Sequence, residues 1–429
     1  MRSGVLFLGL LAVAFSLQAQ SGPVVTVHEW GTFTCLQDEQ GQEIVGINAD
    51  DELLPKFVHR LKWDGSQSRD GKGAPRCHPD VTMRLETPVT YFHPPLNTTE
   101  TLVVNVTVEF HGGLLTEYYP YATTSVDSRT TDSVPARTPI TASTTGAISW
   151  QGVRIGDQAE PLETSSPVWL APRAVGSAAT LKVYKPGPPG SKPDDEGTTE
   201  GEVYLFYRGV AHLESPVRVE RTVGTGLKIS LRHTAQPFHV ASAWLLDVKH
   251  DGAASFRHIG QMDSRSSHTN HQTEFPAGGY SSGATGELQS QMREALNAEG
   301  LFDDEAAAML KTWELSYFRS PGLRLFYLLP QQWTDKVLPL KIDGPARIAH
   351  RIMMGRVELV TAEQRTLVQQ IATRASTRDK IANLPLLENF NQLGRFGNAI
   401  VLDELRRRPT EPLRAFVQQF NLQSAFDQP

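Results

Sequence analysis

Residues 104–110 alternate without a break. Leu102, Val104, Val106, Val108 and Phe110 fall on one side, and Asn105, Thr107 and Glu109, followed by His111, fall on the other. A period of two is the mark of a strand with one face on a core. The same rhythm runs through residues 81–92. Val81, Met83, Leu85, Val89 and Tyr91 share a side opposite Thr82, Arg84, Glu86 and Thr90, and Pro88 marks an edge or a bulge. Further strands are expected at residues 203–207, 217–223, 227–233, 238–248, 323–329 and 356–360. Strands that follow one another without intervening helices predict an antiparallel β-sandwich, jelly-roll-like, rather than alternating β and α units.

Helices come late. Leu288, Met292, Ala295 and Leu296 form a stripe that Gly300 ends, and Asp303 is placed to cap the helix that follows. Thr361 and Gln364 form a capping box, and Thr410 starts a last short helix. The expected organisation is a β-rich domain over 20–360, with a helical pair at 287–318, and a helical C-terminal region over 361–429. Residues 123–145, 185–201 and 268–286 are rich in Ser, Thr, Gly and Pro, lack periodicity, and read as mobile loops.

Arg2, the uncharged apolar run 5–15 and the polar, small-residue stretch ending at Ala19 have the order of a secretory signal peptide, residues 1–19. The run is too short for about 30 Å of hydrocarbon. No later stretch predicts a transmembrane segment in the mature chain. The expected location is periplasmic or extracellular. Lysine and arginine number 41 against 47 acids, net −6, so a nucleic-acid partner is not expected. Polysaccharide or other envelope components are the partners considered. Cys35 and Cys77 are the two cysteines, and an oxidising compartment predicts a Cys35–Cys77 disulfide. A thiol nucleophile at Cys35, or a metal thiolate at Cys77 beside His78, is the alternative.

Few residues have catalytic spacing. His28 and Glu29 are adjacent, so on a strand they point to opposite faces. Thr32 stands where a zinc-protease helix would need its second histidine. Glu86 is placed to pair with Arg84. Glu29 and Glu86 together could form the two carboxylates of a glycosidase only if the fold set them about 5–9 Å apart. His268 and His271, with His258 upstream, offer a weak metal pattern. Arg208 follows Tyr204, Phe206 and Tyr207, and Glu314 lies in the helical pair. No cofactor and no tightly bound metal are expected. A non-catalytic exported binding or envelope protein is favoured over a hydrolase, glycosidase-like or metal-assisted, built on Glu29 and Glu86.

Several phrases occur together in order: His28-Glu29-Trp30-Gly31-Thr32-Phe33-Thr34, Leu85-Glu86-Thr87-Pro88-Val89, Gly113-Leu114-Leu115-Thr116-Glu117, Leu205-Phe206-Tyr207-Arg208-Gly209 and Gly322-Leu323-Arg324-Leu325-Phe326-Tyr327. As a set they resemble a group of exported bacterial proteins that carry the phrase His-Glu-Trp-Gly-Thr-Phe-Thr. The resemblance spans most of residues 25–360. It implies export and brings no catalytic residues with it.

Overall fold

The computed structural model describes residues 22–48, 54–64, 73–186, 197–222, 226–232, 238–263, 271–272, 275, 277–375, 390 and 393–422. The expected signal segment 1–19 lies outside them. The chain is mainly β with late helices, as the alternation predicts. The principal strands are β1 (Val25–Gln37), β2 (Met83–His93), β3 (Leu102–His111), β4 (Gly113–Tyr119), β5 (Thr123–Val126), β6 (Thr145–Ile155), β7 (Leu181–Lys185), β8 (Thr198–Glu202), β9 (Leu205–Ala211), β10 (Ala243–Val248), β11 (Ala254–His258), β12 (Gly322–Leu328), β13 (Leu340–Asp343) and β14 (Ala346–Leu359). Their order in the large sheet is β8-β7-β6-β4-β9-β2-β1-β14-β12-β10-β11, with β3 and β5 both paired to β6.

The sheet is mixed, which corrects the purely antiparallel expectation. β1 and β14 run parallel along their whole length, from Val25 beside Ala346 to Gln37 beside Leu359. Two strands from opposite ends of the sequence thus become central neighbours, and both are buried over most of their length.

The helices are α1 (Pro167–Arg173), α2 (Ala284–Ala298), α3 (Asp303–Thr312), a π-helical turn (Glu314–Arg319), α4 (Gln331–Val337), α5 (Ala362–Ala375), α6 (Gly397–Arg407) and α7 (Glu411–Gln419). Trp30, Tyr91, Phe206, Trp244 and Phe326 pack from the sheet against Leu288, Met292, Met309 and Trp313 of α2, α3 and the residue that follows α3. Leu36, Leu114 and Val210 pack against Val368, Ile400 and Phe416 of the C-terminal helices. Another core joins Phe33, Leu85, Tyr207 and Val357 to Val106, Val108, Ile148 and Trp150 of β3 and β6. Such burial contributes about 1.5–3 kcal/mol per large apolar side chain before chain entropy is set against it.

A bulge decides which side chains meet. Trp30 lies opposite Val89 and Thr32 opposite Glu86, so Gly31 faces the extra residue in Thr87-Pro88. Thr87 takes a left-handed φ of 44° there. A Cβ on Gly31 would come within 3.0 Å of Pro88. The bulge reverses the parity of β2. Met83 and Leu85 enter the core with β3 and β6, whereas Val89 and Tyr91 enter the helical one. The sequence pattern had put all four on one face.

The Ser/Thr-rich stretch 123–145 is not a plain loop. β5 pairs with β6 and with a short strand Arg129–Thr130 across a turn in which Asp127 and Ser128 have positive φ. Alternating β-branched residues bury Thr124 and Val126 there. Of 185–201, residues 187–196 lie outside the described residues, and Thr198–Glu202 pairs with β7. The polar stretch ending at 286 gives way to helix earlier than expected, at Ala284.

Thr361 and Gln364 do form the reciprocal cap, at 2.9 and 3.2 Å. From α5, Arg365 forks onto Glu39 at 2.5 Å, Asp403 at 2.9 Å and Glu404 at 3.1 Å, tying the C-terminal helices to the turn after β1. Burial pushes the Glu39 carboxyl up, but the hydrogen bond and charge of Arg365 outweigh it and hold it below its usual range. A depressed folded pKa contributes stability that is present above the unfolded value, about 4.3, and lost as pH falls through the folded one. Acidification below about pH 4 should therefore loosen the C-terminal helices. Limited proteolysis against pH reads this, and Arg365→Gln should weaken the acid step.

The expected disulfide is absent. Cys35 and Cys77 are separate, buried free thiols. Cys35 sits in the core beneath β1 with Phe33 and Leu85. Cys77 precedes His78 in a positive-φ turn at φ 55°, against the backbone of Gly46. Burial pushes both thiols up, and Arg76 only partly opposes this at Cys77, so neither is an activated nucleophile. Unreduced protein should give no thiol reaction when folded and two reactive thiols per chain in denaturant. A disulfide would give none in either state.

Candidate metal centre

His28 and Glu29 do part to opposite faces. Glu29 is fully buried, with Arg351 at 2.7 and 2.8 Å on Oε2 and with Tyr207 Oη (2.5 Å) and Thr90 Oγ1 (3.2 Å) donating to Oε1. Arg351 also meets Asp335 at 2.7 Å and the Leu338 carbonyl at 2.7 Å. Glu86 pairs with Arg84 at 2.9 Å, the pair expected from the sequence, and with Arg395 at 3.1 Å. Arg208 is ion-paired with Glu117 in the core. Glu314 lies between Lys311 and Arg319, and Lys311 above all holds its carboxyl below the usual range. These residues occupy separate ion pairs, and each named carboxylate is engaged by a cation.

The metal pattern of the loop histidines is not assembled among the described residues. His258 is exposed and stacks on Trp244 at 5.6 Å. His271 lies opposite Leu227, and His268 lies outside the described residues. His78, considered with Cys77, has backbone partners at both ring nitrogens, the Thr138 carbonyl and the Asp80 amide.

A different group does converge. From β1, His28 Nδ1 lies 2.8 Å from Glu305 Oε2. From the end of β2, His93 Nε2 lies 2.9 Å from Glu305 Oε1. One ligand atom from each residue fits within a 4.8 Å span. All three are buried, at 2%, 8% and 0% exposure. The bulge in β2 is what brings His93 to the face of His28. Glu305 is fixed by the start of α3: the Phe302 amide donates to its Oε2 at 2.7 Å, and the helix N-terminus favours its charge. Asp303, expected as the cap, instead pairs with Arg293.

The Phe302 ring covers the group, 4.6 Å from His28 and 4.9 Å from His93. His350, the neighbour of His28 on β14, adds an imidazole 5.0 Å away. Gly300, at φ +112°, leaves room for it, since a Cβ there would stand 2.2 Å from the His350 ring.

The proton count on His93 is informative. Its Nδ1 lies 2.9 Å from the Ser177 carbonyl, which can only accept, so Nδ1 carries hydrogen. Its Nε2 faces a carboxylate oxygen, which also accepts when ionised. A positive centre therefore belongs between Nε2 and Glu305, either a second proton or a metal ion. Burial pulls the His93 imidazole down, but the hydrogen bond to Glu305 outweighs it and the net displacement is upward. Burial pushes Glu305 up, and the bonds from His28 and His93 bring it below its usual range. A ring held by Nδ1–H on a backbone carbonyl is also the usual arrangement that orients Nε2 toward a metal. Two imidazoles and a carboxylate suit zinc or copper, at about 2.0–2.2 Å for zinc.

Comparison with protein-family models and with curated protein sequences finds no match. Among solved structures, the chain is similar at 8% identity to the Fcho1 Mu homology domain of Danio rerio with bound Eps15 peptide, over 79% of this chain and 97% of that one, at a TM-score of 0.22. A likeness at that score carries no argument about fold or activity.

Proposed function

We propose that this chain is an exported, non-catalytic binding protein that holds one divalent transition-metal ion at His28, His93 and Glu305. The observation that carries the reading is His93, whose two ring nitrogens both face oxygen acceptors inside a buried cluster. The signal-like residues 1–19 and the resemblance to exported bacterial proteins support a periplasmic or extracellular location. No helix among the described residues is long and apolar enough to cross a membrane. Glu29 and Glu86, the carboxylates of the hydrolase alternative, each serve an arginine, which favours binding over glycoside chemistry. The same reading takes β3 and β6 as the second leaf of a sandwich closing over β1 and β2. It also gives polysaccharide or other envelope components a place in the open cleft of about 980 Å³ lined by His59, Tyr118, Tyr121 and Lys62.

The test is titration calorimetry on chelator-treated protein with zinc and with copper. One equivalent should bind, and His93→Ala should abolish the isotherm. Absence of binding by the wild type, or unchanged binding by His93→Ala, would leave an imidazolium–carboxylate pair as the account of the cluster.

A further inference from the structure

Between the two helical layers, the covered face of the sheet turns from apolar to basic. Thr34 of β1 has Arg84 as its neighbour on one side and Arg356 on the other. All three are buried, at 0%, 0% and 1% exposure. The arginines reach toward opposite layers. Arg356 lies under the Tyr317 ring at 5.4 Å, and Arg84 lies under the Phe396 ring at 5.4 Å. Thr34 thus marks the seam.

The carboxylates beside this seam are shared. Arg356 directs both Nε and Nη2 at Glu358 Oε1, and Arg324 Nε lies 3.0 Å from the same oxygen. Arg84 and Arg395 share Glu86 Oε1, at 2.9 and 3.1 Å. Among the described residues, four guanidinium groups thus converge on two carboxylates. Burial draws Arg324 down to about 10 and Arg395 down to about 9. An arginine side chain does not give up its proton in a protein, so a buried guanidinium edge that lacks an acceptor calls for an anion.

Two donors mark where such an anion would sit. Arg356 Nη1 and Thr34 Oγ1 are buried and have no hydrogen-bond partner. Buried polar groups in native proteins are paired almost without exception, and each exception needs a cause, such as an ion. A guanidinium edge beside a hydroxyl is the donor set that recognises the oxygens of phosphate, sulfate or carboxylate.

We propose that Thr34 and Arg356, with Arg84 on the far flank, seat one oxyanion in the seam between the helical layers, either a free inorganic ion or the carboxylate or phosphate of a larger ligand. The site is independent of the His28–His93–Glu305 cluster.

Two measurements test it on the full chain. Ion chromatography of the denatured, purified protein should release about one phosphate or sulfate per chain if the source is a free ion. Calorimetric titration of exhaustively dialysed protein with phosphate, sulfate and acetate, against chloride at equal ionic strength, should show a saturable oxyanion site. Saturation by acetate alone, with no inorganic ion released, would point to the carboxylate of a ligand. Thr34→Val keeps the side-chain shape and should weaken the preferred oxyanion about tenfold or more, whereas His93→Ala should leave it unchanged. The proposal is overturned if no ion is released and none of the three oxyanions binds better than chloride, or if Thr34→Val binds as the wild type does.

Discussion

Replacing Glu29 with glutamine is expected to cost about 3–5 kcal/mol of folding stability, the range for breaking a buried ion pair from one side. The substitution removes the charge that Arg351 faces at 2.7 Å and leaves that guanidinium, 2% exposed, with Asp335 at its outer edge and one carbonyl. The hydroxyl of Tyr207 loses its ionised acceptor as well. Urea unfolding of Glu29→Gln reads the loss. A carboxylate held in reserve for acid–base chemistry would behave in the opposite way, because removing functional strain commonly leaves stability unchanged or raises it. A loss below about 1 kcal/mol would mean that the pair is not the structural element described here.

The second large effect is metal-linked. A ligand that binds only the folded state adds about 4.1 kcal/mol when its free concentration is a thousand times its dissociation constant. Zinc or copper should therefore raise the unfolding free energy of the wild type by about that amount at such loading. His28→Ala should abolish the increment, because His28 supplies one of the three ligand atoms that cluster among the described residues. Magnesium should produce no comparable increment, since it is bound by oxygen ligands and keeps much of its water.

Several features of this arrangement were legible in the residues. Adjacency put His28 and Glu29 on opposite faces, and spacing paired Arg84 with Glu86. Thr361 and Gln364 announced their cap, and the alternation in residues 104–110 announced β3. Other features depend on events that a local pattern does not contain. The face taken by His93 depends on the bulge at Thr87, which reverses the parity of β2, so counting in twos from Val81 misplaces it. Pro88 and Gly31 were the available signals: proline inside a strand predicts a bulge, and a glycine opposite it leaves room for one. Glu305 lies 277 residues from His28, and no spacing rule connects a helix cap to a strand at that range. The parallel pairing of β1 and β14 joins the two ends of the β-rich region and is likewise non-local. Compartment and cysteine count alone predict a disulfide. That reasoning ignores where the side chains point, and Cys35 points into a core lined by Phe33 and Leu85.

The most direct measurement of the central claim is anomalous diffraction from crystals of the wild-type protein grown with zinc, recorded above and below the zinc absorption edge. The account predicts one strong anomalous peak bounded by His28 Nδ1, His93 Nε2 and a Glu305 carboxylate oxygen, about 2.0–2.2 Å from each. No peak there at saturating zinc, or a strong peak only at His258 and its neighbours, would contradict it.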